Sequence, residues 1–123
     1  MKIHWEKAQG QQQFTGYGEN YVIVNGRQIE RSLIVLPDRL IENWPVADFE
    51  ALGAEHFAQL AELGIEIAVL GTGSRMRFPH PRLSAALAAK HIGFEVMDNH
   101  AACRTYNILL QEGRAVAAAL ILG

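Results

Sequence analysis

The sequence predicts an α/β fold in which helices cover a mixed, largely parallel β-sheet. From residue 54 onward the pattern runs helix, strand, helix, strand, helix, strand, which is typical of parallel strands joined by helical crossovers. Nearer the amino terminus, Asn25-Gly26 follows a run of strand-forming residues and favours a type I′ turn, which adds antiparallel strands. The 123 residues suffice for one domain with an ordinary hydrophobic core.

The first third of the chain is predicted to contain an arm and a hairpin. Residues 1–12 have weak periodicity and include consecutive glutamines, so we expect a loose amino-terminal arm followed by a single α/β domain over residues 13–123. Tyr21–Val24 and Gln28–Leu36 flank the Asn-Gly turn, and we expect them to pair as its two strands.

The rest of the chain is predicted to supply the helices and the parallel strands. Apolar spacing, prolines, capping residues and terminal glycines predict helices over residues 54–63, 79–91 and 101–112. Short apolar runs predict buried strands at Ile65–Leu70, Phe94–Met97 and Val116–Leu122. The alanines of the last strand would let helices pack close to it.

Composition restricts the classes of function. Eleven basic and thirteen acidic residues give a formal net charge of −2, and no basic cluster indicates a nucleic-acid partner. No apolar run approaches the roughly 18–20 residues that cross a bilayer, so the chain is not expected to be membrane-embedded. Met1–Gly10 lacks the apolar core of a secretory signal, and a single cysteine, Cys103, fits a reducing compartment; both favour a cytoplasmic location.

Two loops are predicted to form a ligand site. Residues 71–77 and 98–100 follow adjacent parallel strands, and ligands of open α/β sheets bind beyond the carboxyl ends of such strands. Each loop is expected to lead into a helix, whose free N–H groups and dipole favour an anion. The predicted ligand-binding residues are Gly71, Thr72, Gly73, Arg77, Asp98, Arg104, Thr105 and Asn107.

Structural explanations exist for the same residues. The glycines would also permit a tight turn, and the arginines would also pair with Glu95, Asp98 or Glu112. Near a helix start, Cys103 has the position of an acidified nucleophile, but the neighbouring alanines indicate a buried, inert thiol. No His–Cys spacing typical of zinc sites is present, and the sequence predicts no catalytic residue, metal or cofactor.

Five segments resemble a known family: Val69–Gly73, Arg77–Pro79, Glu95–Asp98, Ala101–Asn107 and Glu112–Arg114, whereas Asn99-His100 departs from the Thr-Ala or Thr-Pro expected in relatives. It is the small domain family of largely unknown biochemical function that includes the mitochondrial NADH dehydrogenase (complex I) alpha subcomplex assembly factor 3 and an adipogenesis-associated protein. The resemblance implies three layers: a central mixed five-stranded sheet with one antiparallel strand, helices on one face, and a small sheet plus a helix on the other. It implies no reaction, cofactor or catalytic residue.

The expected function is therefore non-enzymatic binding or assembly, with a protein partner such as a membrane-complex subunit and a cleft suited to an anionic group. The alternative is a protein or enzyme that acts on a small anionic metabolite at the Gly71–Gly73 and Asp98–Asn107 loops. The sequence leaves the oligomeric state open.

Overall fold

Three layers make up residues 10–123, the part of the chain that the computed structural model describes. The small sheet contains β1 (Phe14–Gly18), β2 (Tyr21–Val24) and β3 (Arg27–Ile29). The central sheet contains β4 (Leu33–Leu36), β5 (Arg39–Glu42), β6 (Ile67–Gly71), β7 (Gly93–Met97) and β8 (Val116–Leu120). The helices are α1 (Ala54–Ala61), α2 (Ala85–Ala89) and α3 (Asn99–Gln111), with 3₁₀ turns at Phe49–Ala51 and Pro81–Ser84.

The central sheet has the strand order β5-β4-β8-β6-β7. β6 pairs in parallel with both β7 and β8, whereas β4 pairs antiparallel with both β5 and β8. β4 is thus the one strand that runs against the other four. The predicted mixed five-stranded sheet with one antiparallel strand is confirmed.

Each face of the central sheet is covered by a different kind of layer. On one face α3 and the small sheet share a buried apolar cluster with the central strands, which includes Phe14, Cys103 and Tyr106. On the other face α1 and α2 contribute Phe57, Leu60 and Leu87 to a second cluster. The predicted arrangement, helices on one side and a small sheet plus a helix on the other, is confirmed.

β8 lies at the centre of the sheet and is buried on both sides. Val116, Ala118 and Leu120 belong to the α3 cluster, while Ala117 and Ala119 belong to the opposite cluster. This alternation follows from the period-two geometry of a strand. The small side chains at its middle let both covering layers approach the strand closely.

Two local predictions are confirmed. Asn25 and Gly26 have φ angles of 48° and 84°, so both take the left-handed conformation that a type I′ turn requires. Asp98 caps α3, because its carboxylate accepts a hydrogen bond from the Ala101 N–H at 2.9 Å.

The predicted second strand of the hairpin, Gln28–Leu36, is wrong in its extent. Only Arg27–Ile29 pairs with β2, and Leu33–Leu36 forms β4 in the other sheet. The chain crosses between layers at residues 30–32, where Ser32 is buried and its hydroxyl accepts a hydrogen bond from the Leu122 N–H at 2.9 Å. The polar residues Glu30, Arg31 and Ser32 therefore separate two short strands that belong to different sheets.

Two further predictions need correction. Phe94–Met97 was predicted to be a buried strand, but β7 is the edge of the sheet and none of its residues is fully buried. The loop after β6 was predicted to lead directly into a helix, but residues 72–80 form no helix and the next 3₁₀ turn begins at Pro81. The amide dipoles of a helix terminus are therefore absent at residues 72–74.

The predicted loose arm, residues 1–12, lies mostly outside the described residues, which begin at residue 10. Within the described part, the Gln12 N–H donates to the Pro37 carbonyl at 2.9 Å. Over residues 10–123, no helix combines the length and the apolar character that a bilayer crossing requires.

Candidate functional site

The loops that follow β6 and β7 lie side by side, joined by the buried side chain of Asn99. Its amide oxygen accepts from the Gly73 N–H at 3.1 Å, and its amide nitrogen donates to the Ile121 carbonyl at 2.9 Å. The Asn99 N–H also donates to the Gly73 carbonyl at 2.9 Å. One side chain thus ties together the loop after β6, the start of α3 and the chain just beyond β8.

Above these loops lies an open cleft of about 510 Å³. Five parts of the chain line it: Gly18–Tyr21, Ala47–Glu50, Thr72–Arg75 with Arg77, Asp98–His100 and Ile121–Gly123. The first range is the turn between β1 and β2, so the small sheet forms one wall and the carboxyl ends of the parallel strands form the floor. Ligand-sized clefts in proteins commonly have volumes of this order.

The cleft lining contains four carboxylates, from Glu19, Asp48, Glu50 and Asp98, against the guanidiniums of Arg75 and Arg77. Three of the carboxylates are occupied by contacts within the chain: Asp48 and Asp98 cap helical turns, and Glu50 pairs with Arg77 at 2.6 Å. The hydrogen bond from Arg77 lowers the pKa of Glu50, so this carboxylate stays ionised.

Arg75 differs from Arg77. Arg77 is held by Glu50 and lies 4.3 Å above the Phe49 ring. Arg75 is exposed, and within residues 10–123 it forms no ion pair. The cation of the cleft that is free to meet an incoming group is therefore Arg75, which lies within the predicted loop 71–77 but is not one of the predicted ligand-binding residues.

Of the predicted ligand-binding residues, Thr72, Gly73, Arg77 and Asp98 line the cleft. Gly71 lies beneath it, where an added Cβ would overlap Asn99 Oδ1 and Leu120 Cδ2. The absence of a side chain at residue 71 is therefore what allows the Asn99 amide to reach its partners.

Thr72 shapes the loop rather than facing the solvent. Its hydroxyl donates to the Arg75 carbonyl at 2.7 Å and accepts from the Arg77 N–H at 3.0 Å. Both bonds close a turn that carries Met76 at its tip. The loop after β6 thus has a fixed base although it contains no regular secondary structure.

Arg104, Thr105 and Asn107 do not line the cleft. Both polar atoms of the Asn107 amide bond to the backbone of Phe14: the oxygen accepts from the N–H at 3.0 Å and the nitrogen donates to the carbonyl at 2.7 Å. Next to it, the Tyr106 hydroxyl donates to the Gln12 carbonyl at 2.8 Å. This part of α3 therefore attaches the start of the small sheet to the helix.

Arg104 belongs to an exposed cluster with Tyr17 and His100. The guanidinium donates to the Tyr17 hydroxyl at 2.9 Å, and the Tyr17 ring stacks on the His100 imidazole with centroids 4.2 Å apart. His100 Nε2 lies 3.1 Å from the Gly18 carbonyl oxygen. These contacts fix the turn between β1 and β2, which is one wall of the cleft.

Cys103 is buried in the cluster beneath α3. Burial raises the pKa of its thiol to about 12, and this exceeds the lowering by the nearby Arg104 charge. The thiol is therefore protonated at neutral pH and lacks the character of a nucleophile. Across the described residues, no three His, Cys, Asp or Glu side chains are grouped as metal ligands would be.

Two walls of the cleft were not anticipated from the sequence: Gly18–Tyr21 and Ala47–Glu50. The residues Gly-Glu-Asn at 18–20 are typical of a turn, and Asp48 is a typical helix-capping residue, so the local structure of both segments was predictable from the sequence. Their position beside residues 72–77 depends on how the layers stack, and that placement has no local signal.

Comparison with known proteins agrees with this architecture. The crystal structure of a Bordetella parapertussis protein superimposes with a TM-score of 0.87 at 35% identity, covering 93% of this chain and 98% of that one. A Francisella tularensis protein named 13 kDa major membrane protein is 25% identical over 98% of this chain and 99% of its own length.

A bovine protein named NADH dehydrogenase (ubiquinone) 1 alpha subcomplex assembly factor 3 is 35% identical over 107 residues, which make up 85% of this chain. The match covers 58% of the bovine protein, so the chain spans less than two thirds of that relative. The family described as protein of unknown function DUF498/DUF598 matches residues 14–121, nearly the whole described chain. The resemblance drawn from the sequence motifs is confirmed, and the chain belongs to the DUF498/DUF598 family.

Proposed function

We propose that this chain is a non-enzymatic binding module that helps to assemble a multi-subunit respiratory complex. The observation that carries the proposal is its 35% identity to a protein named as an assembly factor of NADH dehydrogenase. The name of the Francisella relative, a major membrane protein, supports a role beside a membrane complex. The proposed partner is a subunit of such a complex.

The cleft is the proposed docking site for a segment of that partner. Its walls come from parts of the chain that are far apart in sequence, and the contacts of Asn99 and Thr72 hold the floor and one wall in place. A preformed cleft loses little conformational entropy when a partner binds. An open, polar cleft also admits an extended segment of a protein as well as a small molecule.

Arg75 is the proposed contact for an acidic group of the partner. Arg77 is already paired with Glu50, whereas the Arg75 guanidinium is exposed beside the cleft. The Glu19 carboxylate on the opposite turn limits how much negative charge the cleft accepts. The proposed partner segment therefore carries one acidic side chain among neutral or basic neighbours.

Deletion of the gene in the host organism tests the assembly role. We expect the amount of assembled NADH dehydrogenase complex on native gels to fall and to recover when the wild-type chain is supplied. A chain with Ser74→Trp, which fills the cleft, or Arg75→Glu, which reverses its free cation, should restore much less.

Gln111→Trp is the matched control, because residue 111 is exposed at the far end of α3 and does not line the cleft. Full recovery with the Gln111→Trp chain and poor recovery with the Ser74→Trp chain would support the proposal. Normal assembly in the deletion strain would reject the assembly role, and full recovery with both cleft variants would reject the docking site.

The second candidate function is binding or turnover of a small anionic metabolite at the Gly71–Gly73 and Asp98–Asn107 loops. The volume of the cleft, about 510 Å³, favours it, because small-molecule pockets have similar volumes. Isothermal titration calorimetry of the purified chain with inorganic phosphate and with simple dicarboxylates tests this candidate. Saturable binding that Arg75→Gln removes would support it, and the absence of heat at millimolar concentrations would reject it.

A further inference from the structure

We propose that the tip of the loop after β6 is a docking site for an anionic phospholipid surface. The tip consists of Met76 and Phe78 together with the flanking His80 and Arg82. Among the large apolar residues that are exposed within residues 10–123, Phe78 is the most exposed, with 70% of its surface accessible, and Met76, two residues before it, is 52% exposed. Neither side chain lines the cleft, although Arg75 and Arg77 do, so the tip and the cleft are different surfaces.

The tip is held rigidly outward. The Thr72 hydroxyl bonds to both the Arg75 carbonyl and the Arg77 N–H, which fixes the turn on the amino-terminal side of Phe78. On the other side Pro79 is buried, and the His80 imidazole accepts a hydrogen bond from the Arg82 N–H at 3.1 Å. Exposed apolar side chains on a fixed loop lose little entropy when they enter a partner phase.

The charge of this region is complementary to anionic lipids. Residues 67–94 contain four of the eleven lysines and arginines of the chain and none of its thirteen acidic residues. Arg77 and Lys90 are neutralised by Glu50 and Glu62. Arg75 and Arg82 are exposed and form no ion pair in the described chain, so unpaired cations flank Phe78 on both sides in sequence.

A lipid surface fits this tip better than an apolar pocket of another protein. Stable protein interfaces bury roughly 800 Å² on each partner, whereas the tip offers two apolar side chains on a protruding loop. At a membrane surface, apolar side chains enter the boundary between headgroups and acyl chains while nearby cations contact the phosphates. The alternation of arginines with Met76 and Phe78 provides both kinds of contact.

Vesicle sedimentation tests the proposal with the full chain. The vesicles contain equal parts of phosphatidylcholine and phosphatidylglycerol, and a second set contains phosphatidylcholine alone. We expect binding to the acidic vesicles only, and we expect it to weaken as salt is added, because salt screens the attraction. The partition coefficient should fall roughly tenfold in Phe78→Ser and about fivefold in Arg82→Gln.

Matched controls come from elsewhere on the surface. Ile108→Ser removes an apolar side chain that is 58% exposed on α3, and Arg31→Gln removes an exposed arginine without an ion pair in the described chain. Both should bind acidic vesicles as the wild type does. Because all four residues are exposed, circular dichroism and thermal melting should show that every variant is folded.

Three results would overturn the proposal. These are no binding of the wild type to acidic vesicles, equal binding to neutral vesicles, and an equal loss of binding in the control variants. The first would instead favour a protein partner for the tip. Since Phe78 and Arg82 do not line the cleft, loss of vesicle binding in their variants is independent of the cleft variants that test the proposed assembly function.

Discussion

The loop after β6 and the helix after β7 leave the same end of the central sheet, yet they use their polar side chains in different ways. In α3, the side chains of Arg104, Tyr106 and Asn107 all bind other parts of the chain. In the loop, Thr72 and Arg77 do so, while Arg75 and Phe78 face solvent. The helix thus uses these side chains to stabilise the fold, whereas the loop leaves two of its side chains exposed to solvent.

The largest expected effect concerns the thiol of α3. Burial raises the pKa of Cys103 from 9.0 to about 12, so its thiolate fraction at pH 8 is about a thousandfold lower than that of an exposed cysteine. We expect a disulfide reagent to label the native chain more than about a hundredfold more slowly than the urea-unfolded chain, because burial both keeps the thiol protonated and shields the sulfur, and the higher intrinsic reactivity of a high-pKa thiolate offsets only part of this. Comparable labelling rates of the native and the unfolded chain would show that α3 carries a reactive side chain. The difference drawn above between α3 and the loop would then be wrong.

The next effect is on stability, through Asn107. Replacing it with Leu leaves the N–H and the carbonyl of the buried Phe14 without their partner, at a cost of about 2–3 kcal/mol in the free energy of unfolding. Urea denaturation measures the loss. Ile108→Ser, one residue along the helix but exposed, should change stability by less than about 0.5 kcal/mol. Equal stability of Asn107→Leu and the wild type would contradict the attachment described for α3.

Tyr106→Phe should have a smaller effect. It removes only the hydrogen bond from the hydroxyl to the Gln12 carbonyl and keeps the ring packed edge-on against Phe14. We expect a loss of about 1 kcal/mol, the usual net value of one hydrogen bond. A loss as large as that of Asn107→Leu would mean that the hydroxyl organises more of the small sheet than a single contact.

The smallest effect is expected for Arg104→Met. Arg104 is exposed, and within residues 10–123 its side chain forms one hydrogen bond, to the Tyr17 hydroxyl, so stability should fall by less than about 0.5 kcal/mol. Thermal melting of Arg104→Met and of Asn107→Leu, measured side by side, compares an exposed and a structural residue of the same helix. A loss above about 2 kcal/mol would show that the exposed cluster with His100 is a major support of the small sheet.

Local structure was predictable because its causes are local. The left-handed turn at Asn25-Gly26 and the cap at Asp98 depend on the conformational preferences of those residues alone. The number and direction of the central strands came instead from the family resemblance. The division of Gln28–Leu36 between two sheets was not predictable: Glu30, Arg31 and Ser32 interrupt the apolar pattern, but they do not indicate that the strand after them joins another layer.

The candidate site was predictable only in part, for a similar reason. The sequence places Thr72, Gly73 and Asp98 beyond parallel strands, and these residues do line the cleft. It assigns Asn107 to the same site, but helical spacing gives only the direction of a side chain and not the backbone that it meets. The contact of Asn107 with Phe14 spans 93 positions of the chain, and only the packed layers reveal it.

The amide of Asn99 has a mechanical consequence for any occupant of the cleft. It bonds at once to Gly73 in one loop and to Ile121 beyond the central strand β8. A ligand that pulls on the floor therefore strains a link that reaches the end of the fully buried strand β8, so the floor resists displacement. Met76 and Phe78 of the tip are exposed outside the cleft and take no part in this link.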